Sequence, residues 1–128
     1  MTDHVDETIR HWRNTTFEWG VADCMLSAAD YVQRVQGRDP TPEFRGTYST
    51  AEGADKAQRD GGGIVALLDS REGLERSDKP VRGDLAVVWT GEEYVVGLCT
   101  GPGLAMRLLR GVTEIDMRFL TVIACWKV

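Results

Sequence analysis

The chain of 128 residues is poor in the residue types that most often carry chemistry: three cysteines, two histidines and four prolines. Three thiols without a Cys-x-x-Cys pair make neither the disulfide framework of a small secreted scaffold nor a thiolate metal site. Neither histidine, His4 nor His11, has ligand spacing, so no metal and no cofactor is expected. No apolar run approaches the roughly 18 residues that a membrane span requires. No Lys/Arg run tracks a phosphate backbone, and the net charge of −5 opposes one, so nucleic acid is not an expected partner. The opening stretch, MTDHVDETIRHW, is polar and acidic where a secretory signal is basic and then apolar. Synthesis and folding in a cytoplasm are therefore expected. Repeats, low-complexity tracts and Pro/Gly linkers are also missing. A single domain over residues 1–128 follows, large enough to bury roughly two-thirds of its unfolded surface.

What is present divides into two halves. Val5, Ile9 and Trp12 recur at helical spacing and predict a helix over residues 6–13, broken by Asn14-Thr15-Thr16. The strongest helical pattern covers 22–36, with Asp23 as N-cap and an apolar stripe of Met25, Ala28, Ala29, Val32 and Val35. Gly37 stops it, and Pro40 and Pro42 forbid continuation. Further helices are expected at 50–59, capped by Thr50 or Ser49, and near 64–69. Beyond Pro80 the pattern changes to Val/Leu/Ile-rich runs at 85–90, 94–100, 105–109 and 120–128. Gly91-Glu92-Glu93 and Gly101-Pro102-Gly103 read as hairpin connections. Helices followed by a strand meander give an α+β domain, with N-terminal helices packed on a small antiparallel sheet.

Cys24 stands at the start of the 22–36 helix. Unpaired N–H groups there favour a thiolate, while the carboxylate of Asp23 partly cancels their field. Cys24 is thus a candidate nucleophile, provided a base lies within hydrogen-bond reach. The alternative is a small apolar side chain tucked under a helix.

The motif order Asp23-Cys24, then Arg82-Gly83-Asp84-Leu85-Ala86-Val87-Val88, then Val95-Val96-Gly97-Leu98, resembles the NlpC/P60 papain-like superfamily. There a cysteine opens a helix, a Gly-Asp starts the first strand, and the next strand carries the catalytic histidine. A closer resemblance is to small phage and prophage tail-associated proteins of this fold. It runs through Trp19-Gly20, Gly37-Arg38-Asp39-Pro40, Phe44-Arg45-Gly46-Thr47-Tyr48, Gly53-Ala54 and Ala124-Cys125-Trp126-Lys127-Val128, and spans residues 17–128. The resemblance implies an NlpC/P60-like fold, a place in the tail tip, and active relatives that cut peptidoglycan peptides. Aligned on Gly97, the histidine position falls on Val95, which can neither take nor give a proton. Both histidines precede Cys24. Permuted relatives also place histidine first, but in them the Gly-Asp strand precedes the cysteine as well. His11 remains the one imidazole that could swing towards Cys24; otherwise it caps or solvates the first helix.

Other residues carry two readings each. Arg45 can clamp a carboxylate or a partner loop, with Tyr48 beside it as a second binding candidate; otherwise Arg45 ties down backbone carbonyls while Phe44 and Tyr48 pack. Asp84 orients the neighbouring strand or caps a turn, and Gly61-Gly62-Gly63 terminates a helix and lacks the Gly-Lys-Ser/Thr of a phosphate loop. Cys99 and Cys125 are expected to be buried, inert thiols. A Cys24–Cys99 bridge does not fit, because a residue four places beyond Val95 on a strand lies roughly 13 Å further on. Trp12, Trp19, Trp89 and Trp126 are expected core anchors, and any left exposed becomes a partner-site candidate.

Three functions compete. The leading one is a structural or assembly component of a phage tail tip, a virion pseudoenzyme bound to a larger tail-tip or hub protein. The second is an active cysteine peptidase or amidase cleaving peptidoglycan peptides through Cys24. The third is a cytoplasmic binding module of prophage origin.

Overall fold

Aspartate side chains start the first two helices in the computed structural model, which describes residues 3–128. Asp3 accepts from the N–H groups of Val5 and Asp6, at 3.0 and 3.2 Å, and opens α1 (His4–Arg13). Val5, Ile9 and Trp12 form its buried stripe. Asp23, in extended conformation, caps α2 (Cys24–Gln36), so the helix begins two residues later than the pattern predicts. Met25, Ala28, Ala29 and Val32 face the core, whereas Val35 is exposed. Gly37 ends the helix in the left-handed region at φ 77°, its N–H bonded to the Gln33 carbonyl. A 3₁₀ turn (Pro42–Phe44), α3 (Ala51–Asp60, capped by Thr50) and α4 (Ile64–Asp69) complete the helical half.

Six strands follow: β1 (Glu75–Ser77), β2 (Leu85–Trp89), β3 (Tyr94–Cys99), β4 (Gly103–Leu108), β5 (Gly111–Asp116) and β6 (Thr121–Lys127). They form one antiparallel sheet in the order β1-β6-β2-β3-β4-β5. The α+β class with helices on an antiparallel sheet therefore holds. Two strands escape the hydrophobic pattern. β1 is Glu-Arg-Ser and owes its conformation to pairing with β6, while β5 is an edge strand in which charged and polar residues interrupt the alternation.

Alternation along the strands sorts the apolar side chains onto two faces. Leu85, Val87, Val96, Leu98, Ala105, Ala124 and Trp126 join α1, α2 and α4 in the main core. Ala86, Val88, Val95, Cys99, Leu104, Met106 and Cys125 form a second cluster, against which Cys24, Leu108, Ile115, Met117 and Leu120 pack. Burial on both faces explains why β2 reads as an unbroken apolar run rather than an alternating one. Among the described residues no helix is long and apolar enough to cross a membrane.

Trp126 is fully buried in the main core, and its indole N–H donates to Asp69 at 2.9 Å. Trp126→Ala is therefore expected to cost about 3–5 kcal/mol, read as a lowered midpoint in urea denaturation.

Candidate functional site

The turn before α2 sets the position of Cys24. The Glu18 carbonyl accepts from the N–H groups of Val21 and Ala22, at 3.1 and 2.8 Å, folding the chain back on itself. Gly20 sits at φ 80°, and a Cβ built there would lie 2.0 Å from the Tyr48 carbonyl oxygen, so only glycine fits. The buried Asp23 carboxylate gathers the segment: Oδ1 accepts from Leu26 N–H at 2.9 Å, and Oδ2 from Gly20 N–H at 3.0 Å and the Tyr48 hydroxyl at 2.7 Å. Cys24 is fixed in the first turn of α2 by these contacts.

The opposite wall comes from the sheet. Cys99 N–H donates to the Asp84 carbonyl and its carbonyl accepts from Gly83 N–H, so odd-numbered β3 residues bond towards β2 and Val96 turns its N–H towards β4. The β3–β4 register holds only at Leu98–Ala105 and Cys99–Leu104. Gly97 permits that close approach, since a Cβ there would stand 2.7 Å from the Ala105 carbonyl oxygen. Towards Tyr94 the pairing ceases, and a cavity of about 890 Å³ opens beside Cys24 and Val95. Two aromatic pairs line it, Phe17 with Trp19 and Trp89 with Tyr94, each with ring centroids 4.8 Å apart. Ala54, Asp55 and Gln58 of α3, Glu92 and Glu93 of the hairpin, Arg107 and Leu108 of β4, Arg110 of the β4–β5 turn and Val112 of β5 also line it.

Burial pushes the Cys24 thiol up to about 12, with the Asp23 and Glu93 carboxylates adding to the shift and backbone hydrogen bonds of Met25 and Val96 opposing it. The thiolate-favouring field of the helix start is outweighed. The cavity therefore holds a protonated thiol at neutral pH.

His11 is exposed on α1 and lies outside the cavity wall, as does His4; no histidine lines it among the described residues. Arg45 is engaged within the chain, with Nε on Asp39 at 2.5 Å and Nη2 on Asp30 at 2.7 Å. Tyr48 spends its hydroxyl on Asp23, and burial followed by that carboxylate raises its ionisation well above the phenol range. Tyr48 holds the 45–48 loop against the start of α2, and Arg45 holds its other end to the middle of that helix and to Asp39. Asp84 accepts from Val81 N–H at 3.1 Å and the Ser77 hydroxyl at 3.3 Å, closing the turn into β2. All three cysteines are free, Cys99 and Cys125 buried. Trp12 and Trp126 are core residues, but Trp89 is 38% exposed at the cavity mouth. Arg107 was absent from the sequence-based candidates. Its only signal there is a lone charge interrupting the apolar run from Leu104 to Leu109.

A family model described as "Domain of unknown function (DUF6950)" matches residues 1–128. The chain belongs to the DUF6950 family. No curated protein and no solved structure matches it. In this DUF6950 chain, no group of three or more His, Cys, Asp or Glu side chains is arranged to hold a metal ion among the described residues.

Two measurements check the electrostatics of the site. Alkylation of Cys24 by iodoacetamide, followed by mass spectrometry across pH, should stay slow at pH 7–8 and rise only in strongly alkaline solution. Asp23→Asn, which removes a carboxylate that raises the thiol, should shift that profile towards lower pH. Asp23→Ala should cost about 2–4 kcal/mol in chemical denaturation, because it removes the cap and strands the Gly20 N–H and the Tyr48 hydroxyl.

Proposed function

We propose that this protein is a catalytically degenerate papain-like domain of the NlpC/P60 type, and that it serves a phage or prophage tail tip through protein contacts. The observation that carries this reading is that Cys24 and Val95 line the same cavity and that no histidine lines it among the described residues. A cysteine hydrolase needs a base that takes the thiol proton and later returns it to the leaving amine. Valine does neither. The loss of a general base costs about 10²–10⁴-fold. A thiol titrating at about 12 adds to that, since only about one part in 10⁵ is ionised at pH 7.

What remains is a surface that binds. Trp89 and Tyr94, both exposed, offer apolar area of the kind enriched at interface hot spots. The net charge of −5 favours a basic patch on the partner, which raises encounter rate and sets orientation more than it adds affinity. The partner in this reading is a larger tail-tip or hub protein, and the domain is made in the host cytoplasm and carried into the virion tail.

Two experiments test the reading. Incubation with muropeptides, read by mass spectrometry, should give no Cys24-dependent products; enzyme-like cleavage abolished by Cys24→Ala would establish an active peptidase instead. A tagged copy should appear in purified particles after infection or induction. If particles lack the protein, and assembly and infectivity survive its deletion, it is a cytoplasmic binding module.

A further inference from the structure

Arg107 is a buried cation without a counter-ion among the described residues. It sits on β4, 2% exposed, on the side of the sheet that faces the helices. Nη1 donates to the Thr15 hydroxyl at 2.8 Å, and that hydroxyl in turn donates to the His11 carbonyl. Nη2 is buried and has no hydrogen-bond partner among the described residues. Among the described residues no carboxylate lies within 4 Å of the guanidinium; Asp30, whose field reaches it, is held by Arg45 at 2.7 Å. An arginine stays protonated throughout the physiological range, so burial leaves a full positive charge with unsatisfied donors. Such an arrangement costs stability.

Arg107 is also among the residues that line the 890 Å³ cavity that opens where β3 and β4 part. We infer that Arg107 is the anion receptor of this cavity and that its ligand carries a single carboxylate on an apolar or peptide-like body. A carboxylate matches the planar donor set of a guanidinium. The aromatic pairs Phe17–Trp19 and Trp89–Tyr94 supply flat apolar walls for the remainder of the ligand. Asp55, Glu92 and Glu93 on the same wall outnumber its second cation, Arg110, and disfavour multiply charged anions, which selects a monoanion over a phosphate ester or nucleic acid. The inference does not depend on the tail-tip reading, since a carboxylate can be held with or without cleavage and in any compartment.

The test uses the intact protein and a matched pair of probes, N-acetylphenylalanine and N-acetylphenylalaninamide, which differ only in the carboxylate. Binding is followed by NMR through the indole N–H signals of Trp19 and Trp89 and the Arg107 side-chain N–H, and by the melting temperature. The acid is expected to give saturable shifts at those positions and to raise the melting temperature. The amide should bind at least tenfold more weakly. Arg107→Met, which keeps the length and removes the charge, should abolish the preference for the acid and leave the unliganded protein as stable or more so. Equal affinity for acid and amide in the unmodified protein overturns the inference without recourse to any variant. So does the absence of saturable shifts with the acid, or a preference for the acid that survives Arg107→Met.

Discussion

The carboxylate of Asp23 is the constraint on which the rest of the site depends. Three donors from three separate stretches of chain converge on its two oxygens: Gly20 from the turn, Leu26 from the helix and Tyr48 from the loop beyond. Each bond satisfies a group that would otherwise be costly to bury. Together they fix where α2 begins, how the 17–23 turn lies over it and how the 45–48 loop closes against both. Gly20 belongs to the same arrangement, because its missing side chain is what lets the Tyr48 carbonyl come so near. The two ion pairs of Arg45 hold the other end of that loop to α2 and to Asp39.

The same carboxylate weakens the neighbouring thiol as a nucleophile. Capping α2 places a negative charge one residue before Cys24, and the hairpin adds Glu93. An adjacent imidazolium is the usual counterweight to such a field in thiol hydrolases. Here no histidine lines the cavity among the described residues, Val95 on its wall is packed in the second apolar cluster, and the surroundings hold the proton on sulfur. Of the two arginines that line the cavity among the described residues, Arg107 is the buried one, and it stands on β4, the strand next to Val95's own.

Much of the fold was legible where local rules and tertiary demand agree. Asp23, the stripe from Met25 to Val32 and Gly37 define α2 from both ends and along its length. The β2 and β3 runs stand out because β2 is covered on both faces and β3 over most of its length. β1 and β5 were illegible because their conformation is imposed by a neighbour: three polar residues align on β6, and an edge strand keeps its charged side chains in solvent. Trp89 reads as core from its position at the end of an apolar run, yet the run ends at a cavity mouth. The partners of Arg45 lie 6 and 15 residues away, and the significance of Arg107 lies in a partner it lacks; neither is a property of local sequence.

The place of β6 in the sheet sets an order on how the molecule can assemble. It is the sixth strand along the chain but lies between the first and the second, supplying Trp126 to the main core and Cys125 to the second cluster. During synthesis the β2-to-β5 meander can pair strand by strand as it emerges, because each of its contacts is local. The outer edge of β2 and the whole of β1 must wait, with the apolar surface that Trp126 will cover still open to water. Closure then requires a contact between segments some 50 residues apart, as in Arg76 opposite Trp126. Such long-range pairing is slow relative to hairpin formation, and an unpaired apolar edge is where nascent chains stick to one another. The interval between finishing β5 and seating β6 is thus the period in which this protein is most exposed to aggregation.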